Sequence, residues 1–164
     1  MIKVLIGGSR NITRLTKDIK VRIDNIIQKD YAILIGDANG ADKSVQKYLF
    51  DKGCGNVIVF CMDRGCRNNV GYWETRHIEG KSKIKDFSYY SIKDLEMATT
   101  ADYGFMLWDG KSKGTLNNII NLLKRQKKVL VFFSPGKEFY NLISFDELES
   151  LLSKCEKSDL YITS

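Results

Sequence analysis

Five short apolar runs, spaced along the whole chain, constrain the fold more than any other feature. They cover residues 3–6, 31–35, 57–60, 103–108 and 129–133. Their apolar residues are consecutive instead of alternating, which indicates strands that are buried on both faces. Such strands occur in parallel sheets covered by helices on both sides. We therefore expect a central, mainly parallel sheet of about five strands.

Apolar residues with helical spacing lie between these strands. Three apolar stripes are formed by Ile19, Ile23, Ile26 and Ile27, by Ala41, Val45, Tyr48 and Leu49, and by Leu116, Ile119, Ile120 and Leu123. Capping patterns at Ser91 and Ser144 predict two more helices. The alternation of strand and helix predicts a Rossmann-like, doubly wound α/β fold. The 164 residues are expected to form a single domain.

One internal segment shows little periodicity. Residues 62–89 are rich in Gly, Arg, Asn and Lys, and we interpret them as an excursion over the sheet edge. A short strand or helix is expected there at about residues 73–78. The single proline, Pro135, follows the fifth strand and is expected to mark the end of the main sheet.

The composition narrows the class of protein. No apolar run approaches the ~20 residues that a membrane span needs, and the first residues lead into a glycine loop instead of a signal peptide. A cytoplasmic protein is therefore expected. Cys54, Cys61, Cys66 and Cys155 are expected to be reduced thiols. Cys61 and Cys66 have a spacing that supplies only half of a metal site, so neither a metal nor another cofactor is predicted.

The net charge of +6 agrees with an anionic ligand or with weak, nonspecific binding to nucleic acid. Its lysines are scattered along the chain instead of forming a continuous basic groove with aromatic platforms. A single-stranded DNA binder is therefore possible but not favoured.

Three glycine-containing loops connect strands to helices. They are Gly7-Gly8-Ser9-Arg10, Gly36-Asp37-Ala38-Asn39-Gly40-Ala41-Asp42 and Asp109-Gly110-Lys111-Ser112-Lys113-Gly114-Thr115. In a parallel sheet such loops meet outside the carboxyl ends of the strands, where ligands bind. Any one of them could simply be a tight turn. The Ser, Thr, Arg and Asp residues beside all three sets of glycines favour a shared ligand site.

The third loop is the strongest candidate for binding phosphate. Glycine allows close approach to an anion, and the amphipathic helix that begins near Gly114 offers free amide groups and the positive end of its dipole. Ser112 and Thr115 could donate hydroxyl hydrogen bonds. The full set of predicted ligand-binding residues is Gly7, Gly8, Ser9, Arg10, Gly36, Asp37, Ala38, Gly40, Asp42, Arg67, Asp109, Gly110, Ser112, Gly114, Thr115 and Asn118.

Several of these residues have a structural alternative. Arg10 could pair with a phosphate or be an ordinary surface arginine. Asp37 could bind ribose hydroxyls, whereas Asp42 more readily caps the second helix or holds a neighbouring loop. Asp109 could contact a sugar, act as an acid or base, or bond the amides of its own turn. Arg67 lies in a loop that could close over a ligand or remain a solvated surface.

Other candidate residues lie outside the three loops. Trp73 and Trp108 could stack on a base, although Trp108 at a strand end is more typical of a core. For His77, the single histidine, a structural role is favoured over a catalytic one. Tyr90, Lys93 and Asp94 form a polar group that could reach the site or only cap and solvate a helix.

At these loops the sequence resembles the SLOG superfamily, which includes the LOG-type phosphoribohydrolases and the DprA/Smf proteins of DNA uptake. GGSR is similar to the family's first-strand loop, GDANGAD to its second-strand motif, and ADYGFMLWDGKSKGTLNN to its fourth-strand region. The resemblance extends from residue 1 to about residue 133. It implies a nucleotide-like small-molecule ligand and a homo-oligomer, a dimer or larger.

The chain departs from the LOG pattern at one position that matters for chemistry. LOG enzymes carry a glutamate that assists cleavage of an N-glycosidic bond, and the matching residue here is Asn118. Asparagine cannot act as a general base. The resemblance therefore favours a binding protein, a sensor or nucleotide-processing protein, over an N-glycosidic hydrolase or transferase. Such an enzyme would need Asp37 or Asp109 as its catalytic residue, or another acid such as Glu74 or Glu96.

Overall fold

The computed structural model describes the backbone of residues 1–81 and 83–163, and the side chains of residues 1–81 and 83–155. In chain order the elements are β1 (Lys3–Gly8), α1 (Lys17–Gln28), β2 (Ala32–Ile35), α2 (Ala41–Asp51), β3 (Val57–Met62), β4 (Glu74–Ile78), α3 (Phe87–Thr100), β5 (Tyr103–Trp108), α4 (Lys113–Lys124), β6 (Val129–Phe133), β7 (Glu138–Leu142) and α5 (Phe145–Thr163).

The strands form one sheet in the order β4-β3-β2-β1-β5-β6-β7. The first six strands run parallel, and β7 is antiparallel to β6. From β1 the chain adds strands on one side as far as β4, and then returns to the other side with β5. The strand order therefore reverses between β1 and β5, the place where ligands bind in folds of this kind. The predicted Rossmann-like α/β fold is confirmed.

The two faces of the sheet have separate apolar cores. Val4 and Ile6 of β1 pack on one face with residues of α1 and α2, such as Ile23 and Val45. Leu5 points to the opposite face, where α3, α4 and α5 contribute residues including Met97, Ile119, Leu122, Leu148 and Leu151. Burial on both faces explains the consecutive apolar residues in the central strands. None of the described helices is both long and apolar enough to cross a membrane.

The sheet gains a strand at each edge beyond the five apolar runs. β4 falls within the expected region at residues 73–78, but all five of its residues are exposed or only half-buried. β7 follows Pro135, so the prediction that the sheet ends there was wrong. Residues 134–137 form a turn, with Lys137 in the left-handed region at φ 51°, and the chain then pairs with β6. Edge strands are buried less completely, and their sequences therefore lack a continuous apolar run.

Candidate functional site

The three glycine loops meet at the carboxyl ends of β1, β2 and β5 and enclose a cleft of about 900 Å³. The N-terminal half of α3 completes its wall. The predicted site residues that line it are Gly7, Gly8, Arg10, Gly36, Ala38, Asp42, Arg67, Asp109, Ser112, Gly114, Thr115 and Asn118. Ser9, Asp37, Gly40 and Gly110 lie behind this surface.

Two of the glycines behind the surface serve the packing of the loops. Gly40 has φ 81°, and a Cβ atom there would lie 2.2 Å from the carbonyl oxygen of Arg10. Gly110 has φ 80°, and its Cβ would lie 2.9 Å from the ring of Phe133. Both positions combine a left-handed backbone with a close neighbour, and both conditions favour glycine. These two residues shape the cleft without lining it.

Ser9 connects the first loop to the third. Its side chain is fully buried, its Oγ accepts a hydrogen bond from the amide of Asp109 at 3.1 Å, and it lies 3.4 Å from Oγ1 of Thr115. Thr115 also donates to Oγ of Ser112 at 3.1 Å. The hydroxyl groups of Ser9 and Thr115 therefore hold the loops together, and both residues are 2% exposed or less.

Asp37 is the centre of an ionic cluster in which Asp37 and Lys93 are buried and Arg67 is partly exposed. Its Oδ1 accepts from Nη2 of Arg67 at 2.7 Å and from Nζ of Lys93 at 3.1 Å, and its Oδ2 accepts from the amide of Arg67 at 2.8 Å. Burial alone would raise the pKa of Asp37, but the hydrogen bonds and charges of Arg67 and Lys93 outweigh burial and lower it. Asp37 is thus an ionised, fully engaged anchor, and its position does not suit the predicted ribose-binding or catalytic role.

The loop that carries Arg67 is tied to the same wall by amide side chains. Asn68 Nδ2 donates to the carbonyl of Asp37 at 2.8 Å. Gln46, which is fully buried, donates to the carbonyls of Gly36 and Asn68 at 3.0 and 3.1 Å. Sequence reasoning missed Gln46. The available signal was its position four residues after Asp42, which places both polar side chains on one face of α2.

Asp42 lies on the floor of the cleft between two glycines. A Cβ atom at Gly36 would lie 2.7 Å from its Oδ2, and one at Gly7 would lie 3.6 Å from its Oδ1. Oδ2 accepts from the amide of Ala38 at 3.2 Å. Burial raises the pKa of Asp42 to about 6, although the charge of Lys93 opposes the shift. Asp42 can therefore change its protonation state near neutral pH.

Asp94 on α3 is a second carboxyl of this kind in the cleft. Burial raises its pKa to about 6, again against the effect of Lys93. The other suggested acids are unsuited to the site. Glu74 and Glu96 are exposed and do not line the cleft. The acid–base capacity of the cleft therefore lies with Asp42 and Asp94.

Asp109 bonds its own turn. Its Oδ1 accepts from the amides of Lys111 and Ser112 at 2.9 and 2.8 Å, and its Oδ2 lies 3.4 Å from Nδ2 of Asn11. Burial raises the pKa of Asp109, but these amide hydrogen bonds outweigh burial and keep the pKa below its ordinary value. Asp109 remains ionised and holds the third loop, which makes it a poor general acid.

The N-terminus of α4 faces the cleft with unused hydrogen-bond donors. Ser112 is the N-cap, and its Oγ accepts from the amide of Thr115 at 3.4 Å. Within the described part of the chain, the amides of Lys113 and Gly114 have no acceptor. Apart from its own helix and its chain neighbours, a Cβ atom at Gly114 would meet no atom of the described residues within 4 Å, so the space in front of it is open there. This end of α4 has the form of an anion site.

Asn118, one turn further along α4, also faces the cleft. It is 8% exposed, and its Oδ1 has no hydrogen-bond partner among the described residues. A buried acceptor without a partner costs free energy, about 1–3 kcal/mol. A ligand that donates a hydrogen bond to this oxygen would remove that cost. Asn118 is thus the residue that points most directly to a bound molecule.

Aromatic side chains form a smaller part of the cleft surface than the three loops do. Trp108 is 1% exposed and donates from Nε1 to the carbonyl of Ser112 at 3.1 Å, so it belongs to the core. Trp73 donates to the carbonyl of Cys54 at 2.8 Å and does not line the cleft. Tyr90 does line it, with its ring centre 4.3 Å from the guanidinium of Arg67. Tyr90 and the half-exposed Phe87 thus offer aromatic surface at the cleft mouth.

Cys61 and Cys66 form a disulfide in the structure, with their Cα atoms 5.1 Å apart. The prediction of reduced thiols was therefore wrong for this pair, because the connection after β3 folds Cys66 back onto the end of that strand. Cys54 is a free, half-buried thiol.

No protein-family model matches the chain, and no curated protein matches it in sequence. Among solved structures, DNA processing protein A from Helicobacter pylori is similar, with a TM-score of 0.57 and 17% sequence identity. The match covers 79% of this chain and 64% of that one, so the chain spans less than two thirds of its structural neighbour. That structure was described for its single-stranded DNA binding mode. At this identity the likeness shows that the two chains share a Rossmann-like fold.

Proposed function

We propose that this protein binds a phosphate-bearing, nucleotide-like ligand in the cleft, with its phosphate at the N-terminus of α4. The observation that carries the proposal is the buried Oδ1 of Asn118, which has no partner among the described residues and lies one turn from the open amides of Lys113 and Gly114. A ligand that has both donors and acceptors would satisfy these groups together.

The phosphate end of the ligand is recognised by backbone and charge. The amides of Lys113 and Gly114 donate to phosphate oxygens, and the helix dipole favours the negative charge. Arg10 and Lys111 line the same cleft and can balance that charge. Gly114 needs to remain without a side chain, because the space in front of it is where the phosphate would lie.

The rest of the ligand extends toward Asn118, Asp42 and Tyr90. Asn118 Oδ1 accepts from a sugar hydroxyl or an exocyclic amino group. Asp42 can accept a hydrogen bond when ionised or donate one when protonated, which its pKa of about 6 allows. Tyr90 offers a ring face to a base. The volume of about 900 Å³ lies within the usual range for sites that bind small molecules.

This proposal extends the resemblance to the SLOG superfamily, with a sensor or a nucleotide-processing protein as the role and a cytoplasmic homo-oligomer as the form. Turnover, in an N-glycosidic hydrolase or transferase, would require another carboxyl of the cleft to replace the glutamate of the LOG enzymes, because Asn118 stands at the matching position. Asp42 and Asp94 are the cleft carboxyls suited to proton transfer.

The second candidate is single-stranded DNA, for which the shared fold with DNA processing protein A is the supporting observation. A strand phosphate could lie at the N-terminus of α4 as a mononucleotide phosphate would. The net charge of +6 favours either ligand. The two candidates differ in length dependence, because a strand that crosses the protein gains contacts beyond one nucleotide, and its affinity falls more steeply with salt.

The test is a thermal-shift screen with nucleotides, cyclic nucleotides, ADP-ribose derivatives and short oligothymidylates, followed by titration of the ligands that raise the melting temperature. The key variant is Gly114→Val, whose Cβ meets no protein atom. Its matched control is Gly55→Val, since Gly55 is equally unobstructed but does not line the cleft.

We expect Gly114→Val to lower affinity at least ~10-fold, which corresponds to about 1.4 kcal/mol, with an unchanged circular dichroism spectrum. Gly55→Val should bind as the wild type does. Equal affinity in both variants would mean that the phosphate does not bind at α4. Affinity that rises with oligothymidylate length, while mononucleotides have no effect, would favour the DNA-binding candidate.

A further inference from the structure

The β3–β4 edge of the sheet brings together three side chains that are metal ligands by chemistry. Cys61 on β3 and His77 on β4 are register partners in a parallel pairing, so their side chains project from the same face of the sheet. Cys66, from the connection between the two strands, folds back against Cys61. One ligand atom from each residue lies within 4.8 Å of the other two.

We propose that the reduced forms of Cys61 and Cys66, together with His77, bind a zinc ion whose fourth position is open to solvent. Two thiolates and one imidazole are donors that zinc favours, and three protein ligands with one exchangeable position are a known arrangement. Bond lengths of about 2.3 Å to sulfur and 2.1 Å to nitrogen place tetrahedral ligand atoms about 3.5–3.8 Å apart. Once the disulfide is open, rotation of the three side chains would bring the ligand atoms, which lie within 4.8 Å of one another, to that spacing.

The disulfide and the zinc site are alternative states of the same pair. A dithiol reductant supplies two electrons and two protons, which break the sulfur–sulfur bond, yield two thiols and leave the reductant as a disulfide. Zinc then binds the two thiolates and releases the two thiol protons to solvent. Oxidation of the pair removes both sulfur ligands.

The backbone around the cysteines has anchors other than the disulfide. Before Cys66, Asp63 accepts hydrogen bonds from the amide of Gly80, at 2.9 Å, and from the hydroxyl of Tyr89. After Cys66, the amide of Arg67 donates to Asp37 at 2.8 Å. The connection is therefore held on both sides of Cys66, and the ligands remain close together when the disulfide opens.

The surroundings of the three ligands suit an accessible ion. Cys61 is fully buried, Cys66 is half-buried and His77 is exposed, so the cluster opens outward at the imidazole. Thr75 Oγ1 lies 3.1 Å from Nε2 of His77 and can orient the ring, as outer partners of metal ligands commonly do. None of the three ligands lines the cleft, although Arg67, the residue after Cys66, does.

The experiment uses the full chain, reduced with a phosphine and kept free of oxygen. Cobalt(II) is the probe, because thiolate coordination gives a charge-transfer absorption and tetrahedral geometry gives intense ligand-field bands. We expect saturation at one equivalent of cobalt and full displacement by zinc. The disulfide form of the same protein should show neither absorption.

Variants identify the ligands. Cys66→Ser should abolish most of the charge-transfer absorption. His77→Gln should weaken cobalt binding by about 100-fold, because loss of a ligand costs at least as much affinity as loss of an outer partner. Cys54→Ser is the matched control, because Cys54 is free and lies outside the cluster, and it should bind as the wild type does. His77 is exposed, so its variant remains informative even where a change at buried Cys61 prevents folding.

The proposal fails on any of three results. The first is a disulfide that a phosphine cannot open in the folded protein. The second is a reduced protein without the charge-transfer absorption. The third is a His77→Gln variant with wild-type cobalt affinity, which would limit the ligands to the two thiolates.

Discussion

The two halves of the cleft wall use their polar groups in opposite ways. In the acidic half, formed by Asp37, Arg67 and Lys93, the carboxylate accepts from both cations and from a backbone amide. In the α4 half, formed by Ser112, Gly114 and Asn118, described donors and an acceptor lack partners. The acidic half is complete within the protein, whereas the α4 half leaves donors and an acceptor for the proposed ligand.

This difference distinguishes motif residues that hold the cleft wall together from residues that are available to bind a ligand. Aspartates at the ends of strands are attractive candidates for chemistry, and Asp37 and Asp109 are both of this type. Each is instead held ionised by internal hydrogen bonds. The proposed binding instead uses less conspicuous groups on α4, whose hydrogen bonds are unmade among the described residues.

The largest effect should follow from breaking the acidic half. Asp37→Ala leaves Lys93, which is 3% exposed, as a buried charge without its partner. We expect the free energy of unfolding to fall by about 3–5 kcal/mol. Urea denaturation measures it, with Asp51→Ala at an exposed carboxylate as the control. A loss of less than about 1 kcal/mol, as for an exposed pair, would show that the cluster does not hold the wall.

A change at Asp42 should alter the pH dependence of stability. The pKa of Asp42 rises from 3.8 in the unfolded chain to about 6 on folding. In the pH window between these two values, the folded protein retains a proton that the unfolded chain has released. Stability therefore falls as the pH rises through the window. Asp42→Asn removes this loss of stability. Above a pH of about 6 it should therefore stabilise the protein by up to about 3 kcal/mol.

The measurement is urea denaturation on either side of the pKa of about 6. Asp94 has a similarly raised pKa, and Lys93, Asp37 and Arg67 are unchanged, so part of the pH dependence should remain. An Asp42→Asn variant that is destabilised above the window would mean that the ionised carboxylate is favoured in the fold, contrary to this account.

Asn118→Leu tests the α4 half without disturbing the acidic one. Removing a buried, unpartnered oxygen should leave the free protein as stable as the wild type, or about 1 kcal/mol more stable. Affinity for the nucleotide identified by the screen should fall ~10-fold, since the ligand loses its acceptor. Calorimetric titration of both proteins measures it. Lower stability together with unchanged affinity would assign Asn118 to the fold alone.

The smallest effect is expected at Thr115, which lies where the loops join. Its hydroxyl donates to Ser112 and lies 3.4 Å from Ser9 Oγ, so Thr115→Ala should cost about 1 kcal/mol of stability. Because this hydroxyl already has an acceptor, affinity should change less than in Gly114→Val. The same titration compares the two variants. A loss as large as that of Gly114→Val would show that the hydroxyl binds the ligand directly.

The sequence by itself determined the central architecture and the meeting of the loops. Continuous apolar runs identify strands buried on both faces, and parallel strands place their carboxyl ends at one edge. Gly7, Gly36 and Gly114 could thus be predicted to surround one cleft, and they do. Those signals are local, since each depends on neighbouring residues in one strand, turn or helix.

Only the tertiary structure decided what each polar residue does. Asp37 meets partners 30 and 56 positions away, Arg67 and Lys93, and this pairing distinguishes an anchor from a catalytic acid. Cys61 and His77 become neighbours only through the register of β3 and β4. The edge strands carry a weak hydrophobic pattern, so β4 was expected only as a short strand or helix, and β7 was not expected. Roles that depend on which groups are paired arise from contacts between distant segments, and local sequence does not contain them.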